Sequence, residues 1–222
     1  MQMNDEIEKV LQKYPTLKHD EVSNTLIGTL SPFQNDNYEL RIELKNWNHK
    51  FPEVYETGER IPNRLDRHIY PQGNFCFTTQ AKEQILLGTL IKKLVHFIEY
   101  ILIPYLKNNS YYEIKEKYKF GEYSHTEGIL EGYKEILEID NVDLIINVLS
   151  DYIRGKRLTS KHNCYCGSKQ GFEKCTSRKH QKAYKKLQYI QLETLALDFE
   201  IIGLKELSEK KALLDTYLKG LK

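Results

Sequence analysis

No run in this chain is both long enough and free enough of charge to cross a bilayer. The nearest approach, Ile85 to Leu106, is interrupted by Lys92, Lys93, His96 and Glu99, so it reads as a buried helix with polar edges. The opening residues, Met1 to Glu8, carry acids and lack the basic start and apolar run of a secretion signal, so the expectation is a cytoplasmic protein. Cysteine is scarce, with four among 222 residues, at positions 76, 164, 166 and 175. Three of these fall within twelve residues, which is not the spacing of a disulfide framework and predicts reduced thiols. Internal repeats and low-complexity linkers are also missing.

What is present has a globular balance, 40% apolar and 29% charged residues, in a length that suits one large domain or two small ones. The net charge of +2 hides an asymmetry. From Arg154 to Lys186 there are eleven Lys or Arg against one acid, Glu173, for a local charge of +10 and about −8 elsewhere. Such a segment attracts a phosphate backbone or an acidic protein surface, and charge alone does not choose between them.

Hydropathy patterning gives an α+β order. Ile7, Val10 and Leu11 at helical spacing behind Asn4 and Asp5 predict a first helix over 4–13. Thr25 to Leu30 and Tyr38 to Leu44 alternate like strands, joined by a turn from Ser31 to Asn37, and Val54 to Thr57 completes a three-strand antiparallel meander. Arg60 to Phe75, with Pro62, Pro71 and Gly73, reads as an irregular loop leading to Cys76. A helical pattern then runs from Thr79 until Pro104 disrupts it. Further helices are expected at 111–117, 126–137, 142–152 and 178–207, with another over 208–221.

The order of helix, meander, proline-containing loop, Gly73-Asn74-Phe75-Cys76 and helices resembles the ubiquitin-conjugating enzyme fold over residues 1–110. Phe51-Pro52-Glu53-Val54 looks like that family's Tyr-Pro-x-x-Pro-Pro-x-Val segment, and Gly73-x-x-Cys76 like its Gly-x-x-Cys. Where the family has a His-Pro-Asn triplet, with asparagine eight residues before the cysteine, this chain has Asp66-Arg67-His68. The resemblance implies Cys76 as a thioester-forming nucleophile. An imidazole at His68 is suited to stabilising an oxyanion or accepting a proton, with Asp66 to orient it. Arg64, Arg67 and His68 are expected to lower the Cys76 pKa. Bacterial relatives of the family in anti-phage defence operons are similar in losing the triplet while keeping the cysteine. A second echo, Gly121-Glu122-Tyr123-Ser124-His125-Thr126-Glu127-Gly128, reads as a capping turn before a helix, so His125 and Glu127 are not counted as catalytic.

The run Cys164-Tyr165-Cys166-Gly167-Ser168, with eight residues between Cys166 and the later Cys175, resembles the SEC-C zinc motif. In that family the fourth ligand directly follows the third cysteine, a place held here by Thr176, which is a poor ligand. His180 is the best substitute and His162 the reserve. Gly167 and Gly171 allow the tight turns that let thiolates converge on one Zn2+. A module this small draws much of its stability from the metal, so its role is structural or adhesive.

The expected organisation is a conjugating-enzyme-like domain over 1–110, a helical extension over 111–158, a zinc module over 159–186 and C-terminal helices over 187–222. Three functions fit these residues. The first is transfer of a ubiquitin-like modifier, received from an activating enzyme, through Cys76, with a bacterial conjugation or anti-phage system implied by the resemblance. The second is an inactive adaptor whose basic module docks nucleic acid, ribosomes or an acidic protein. The third is a cysteine hydrolase using Cys76 and His68.

Overall fold

The computed structural model describes residues 3–119 and 128–220, and the expected capping turn at 121–127 lies outside them. The described chain is α+β and divides into two compact units, one of residues 3–78 and 86–119, the other of 79–85 and 128–220.

In the first unit, helix α1 (Met3–Lys13) leads into a four-stranded antiparallel sheet of β1 (Leu17–Asp20), β2 (Thr25–Phe33), β3 (Asp36–Glu43) and β4 (Glu53–Glu56), in that order. One face is dry because alternate residues in register are apolar: Leu26 opposes Ile42, which opposes Val54, all fully buried. The other face stays polar, with the Arg41 guanidinium 4.0 Å over the Tyr55 ring. Two details differ from the sequence reading. The edge strand β1 was not expected, since Leu17-Lys18-His19-Asp20 has one apolar residue and its pairing with 25–28 supplies the order. The turn between β2 and β3 is also tighter, with strand running past Pro32 to Phe33 and Asn35 in the left-handed region, φ 60°.

The helical stretch after Thr79 is broken twice where one helix was expected. Helix α2 (Gln80–Thr89) ends at Gly88-Thr89, where the Lys92 ammonium takes the freed carbonyls of Leu87 and Gly88. Lys93 is extended, and α3 (Leu94–Phe97) starts with its Leu94 N–H on the buried Glu6 carboxylate, 2.7 Å away, which also accepts from the Trp47 indole. Pro104 does not stop the chain. Residues Ile98–Leu102 widen into a π-helical turn that runs straight into α4 (Ile103–Lys115), so the proline occupies the first turn of a new segment, where its missing N–H costs least.

The second unit contains α5 (Gly128–Leu137), α6 (Val142–Ile153), α7 (Lys179–Lys185) and α8 (Leu192–Gly220). Asn141 caps α6 by accepting from the Leu144 N–H at 2.9 Å. Helix α8 continues through Ser208, where two helices were expected. Its core joins Tyr133, Leu137, Leu149, Leu187 and Leu195 to Cys164, Tyr165, Phe172 and Cys175, so the cysteine segment is built into the hydrophobic interior. No helix among the described residues is long and apolar enough to cross a membrane.

Candidate metal centre and the Cys76 loop

The cysteine segment is held by backbone pairing before any side chain is considered. Asn163 bridges Gly171, the Cys164 N–H donates to the Gln170 carbonyl at 2.8 Å and the Phe172 N–H to the His162 carbonyl at 3.0 Å. Gly167 turns the chain between the arms at φ 80°, a conformation that a Cβ would disfavour. After Cys175 the chain does something rare. Thr176, Ser177 and Arg178 are consecutive left-handed residues at φ 45°, 53° and 69°, with no glycine among them. This reversal starts α7 at Lys179 and brings His180 back to the cysteines.

The four ligand atoms of Cys164, Cys166, Cys175 and His180 all lie within 4.8 Å of one another, close enough to hold a metal ion. His180 Nδ1 is 3.3 Å from Cys164 Sγ and 3.4 Å from Cys175 Sγ, and the sulfurs of Cys166 and Cys175 are 3.5 Å apart. A tetrahedral ion with ordinary zinc–sulfur and zinc–nitrogen bonds requires edges of about 3.5 to 3.8 Å, so these three distances are close to those it needs. The outer ring of the imidazole is already committed: His180 Nε2 lies 3.3 Å from the Glu138 carbonyl, which takes its N–H and leaves Nδ1 as the lone-pair donor. The reserve candidate is engaged elsewhere, because exposed His162 turns its Nδ1 to the Thr159 N–H and hydroxyl at 3.0 and 2.9 Å.

Electrostatics inside the cluster are those of sulfurs sharing too few charges. Burial, together with its bonding to Cys166 and Cys175, pushes the Cys164 thiol up to about 12. Burial acts on Cys166 in the same direction but is outweighed by hydrogen bonds from Ser168, Cys164 and Cys175, which bring it down to about 6. One thiolate is thus stabilised by protonated neighbours, and a divalent cation would replace those protons.

In the first unit, Cys76 lies at the end of the irregular loop, half-buried and free. The turn before it closes with the Gly73 N–H on the Tyr70 carbonyl at 2.8 Å, Gly73 taking φ 92°. Cys76 and His68 are joined through the main chain, the Cys76 N–H donating to the His68 carbonyl at 2.7 Å, and that carbonyl also accepts from the buried Tyr105 hydroxyl at 3.0 Å. His68 is itself left-handed at φ 54° and packs its ring edge-on to Tyr118, centroids 5.1 Å apart. The Asp66 carboxylate lies in a two-point ion pair with Arg64, at 2.9 and 2.5 Å.

The thiol itself differs from expectation. Burial pushes the Cys76 pKa up, with only a hydrogen bond from Tyr70 opposing it. Two of the cations expected to lower it have other partners. Arg64 is paired to Asp66, and the buried Arg67 guanidinium bonds Asn109 Oδ1 at 3.0 Å and covers the Tyr112 ring at 4.4 Å. Sequence proximity placed these charges beside Cys76, whereas the side chains turn to partners from α4 and from the loop.

Helix α4 residues Tyr105 and Asn109, which fix the loop carbonyls and Arg67, had no signal in the sequence, since they arrive from 38 and 42 residues away through tertiary packing. Set against known proteins, the chain matches no family model, no curated protein and no solved structure.

Proposed function

We propose that Cys76 carries an acyl group as a thioester, the C-terminal carboxyl of a ubiquitin-like modifier, and passes it to an amine, while Cys164, Cys166, Cys175 and His180 hold a structural Zn2+. The observation that carries the reading is the loop itself. A half-buried cysteine ends a turn pinned to His68 and Tyr105, directly after an antiparallel meander preceded by a helix, the order that the resemblance to conjugating enzymes requires.

The chemistry follows from the atoms at hand. The Cys76 thiolate attacks the modifier's thioester carbonyl on the activating enzyme; the new C–S bond forms as the old one breaks, and the activating enzyme's thiol leaves. An acceptor amine then attacks the Cys76 thioester, the C–S bond breaks, an amide forms, and the amine proton passes through His68 towards the departing sulfur. A thiol whose pKa is raised by burial suits a carrier that waits for its acceptor.

Three thiolates and one oriented imidazole favour zinc over harder cations such as magnesium or calcium, and a site filled by four protein donors has no open position for catalysis. The ion's part is therefore to hold its module together. Non-reducing intact-mass analysis of the protein taken from its own host, with and without thiol treatment, tests the transfer reading. A thiol-labile adduct of modifier size on wild type, absent or thiol-resistant in Cys76→Ser, is the expected result. Unmodified chain together with no conjugated host proteins would move the assignment to the adaptor.

A further inference from the structure

A cleft of about 330 Å3 opens in the second unit between the end of α6, the segment after it and the outer side of α7. It lies outside the metal cluster and takes no part in the Cys76 chemistry. Its floor is aromatic: Tyr152, Phe172 and Tyr184 pack edge to face, with Tyr184 5.6 Å from Tyr152 and 5.4 Å from Phe172. Each ring is at most 8% exposed, so together they present a narrow apolar strip on a rigid base.

Two cations stand on the walls. The Arg157 guanidinium is fixed 3.6 Å over the Tyr152 ring and donates to the Tyr152 carbonyl at 2.5 Å, yet it meets no carboxylate among the described residues. Lys185 is exposed on α7 and likewise unpaired among them. The same holds across the basic segment: of its eleven cations only Lys156 and Lys179 have ion-pair partners among the described residues, Asp151 and Glu138. A surface that leaves nine of eleven positive charges without internal partners is arranged for a polyanion.

The remaining wall groups choose among polyanions. Gln181 and Gln188 offer amides with both donors and acceptors, and Glu173, the segment's one acid, offers acceptors only. A row of carboxylates offers acceptors only and is repelled by Glu173. A base, in contrast, has amino groups for that carboxylate, edges for the amides and a flat face for the exposed Arg157 guanidinium. A double helix is too wide to enter a cleft of this volume, whereas one nucleotide of an unpaired strand fits the usual size of a ligand pocket.

We infer that this cleft binds single-stranded nucleic acid, taking one base against the exposed Arg157 guanidinium that Tyr152 backs while Lys185 holds the adjoining phosphate. The reading rests on the folded metal module and is independent of Cys76.

The test uses the full-length, metal-loaded protein and fluorescence anisotropy with short labelled oligothymidylate and oligouridylate strands. Competitors are a DNA duplex and a polyglutamate peptide. Lys185→Gln and Gln188→Ala alter exposed cleft residues, and Lys169→Gln removes an equally exposed charge outside the cleft, with metal content measured in each to confirm folding. Lys185→Gln is expected to weaken strand binding severalfold and to flatten the dependence of log affinity on log salt by about 0.7, the share of one phosphate contact on a single strand. Gln188→Ala should weaken binding without changing that slope, and Lys169→Gln should do much less than Lys185→Gln. Preference for the thymidylate or the uridylate strand would tell DNA from RNA, and either supports the cleft. Equal losses for Lys169→Gln and Lys185→Gln, duplex or polyglutamate competing as well as the strand, or no strand binding at low salt would overturn the inference. None of these readouts involves Cys76, so their failure leaves the thioester proposal as it stood.

Discussion

Removing the metal should unfold the cysteine segment and lower the stability of the second unit by an amount the structure allows to be worked out. Holding Thr176, Ser177 and Arg178 at left-handed φ costs about 1 to 2 kcal/mol each, so about 3 to 6 kcal/mol is stored in that turn. With the ion gone, the buried Cys164 and Cys175 sulfurs no longer hold the reversal, and the turn relaxes. Tyr165 and Phe172, 8% and 4% exposed, then leave the core at a further cost of about 1.5 to 3 kcal/mol each. A structural zinc site supplies about 10 to 16 kcal/mol of apparent binding energy, enough to offset the strain of the turn and so keep both rings buried. The assay is calorimetry of the full chain with metal present and after chelation, with metal content read by mass spectrometry and tyrosine packing by near-UV dichroism. A loss of several kcal/mol corresponds to a fall of more than about 10 °C in the lowest transition. Chelated protein free of metal whose transition moves by less than about 2 °C would refute the reasoning, because the turn would then be held by packing alone.

Three further outcomes follow from individual side chains. His180→Ala should lose the metal while His162→Ala keeps it, read as metal per chain after dialysis, since only His180 turns a ring nitrogen to the sulfurs. Asp198 has its pKa raised by burial, while Tyr133 donates to it at 2.9 Å. A raised folded pKa means that the native state keeps a proton the unfolded chain has released, so this contribution is complete below about pH 4 and is lost as pH rises towards the folded pKa. Asp198→Asn should remove that decline in denaturant unfolding measured across acid to neutral pH, and an unchanged profile would count against it. His68 sits at φ 54°, where asparagine is at ease and a β-branched residue is not. His68→Asn should therefore melt close to wild type, and His68→Val about 1 to 2 kcal/mol below it by denaturant unfolding.

How much of this was legible beforehand depended on how local the cause was. Helix α1, the alternation of β2, β3 and β4, and the span of α6 follow from neighbouring residues, and periodicity showed them. The clustering of Cys164, Cys166, Cys175 and His180 was legible because cysteines at tight spacing next to a later histidine are a short-range pattern. The break before Leu94 was not, since Glu6, nearly ninety positions earlier, caps the new helix. Nor was the fate of Pro104, because hydropathy carries no trace of a π-helical turn. Around Cys76 the sequence put Arg64 and Arg67 at the right distance along the chain, but the direction of a side chain is decided by partners such as Asn109 and Tyr112.

Only sixteen positions separate Cys164 from His180, so every donor of the metal cluster is contained in one short stretch. Closing so small a loop costs little chain entropy, and the ion can be captured as soon as that stretch is free to bend. On a ribosome this happens before α8 has emerged from the exit tunnel, although Leu195 and Ile202 of that helix belong to the same core. A metal bound there would act as a template during synthesis, ordering Tyr165 and Phe172 as a surface against which the last helix docks. A shortage of the ion would be felt first by newly made chains, while molecules completed earlier keep theirs.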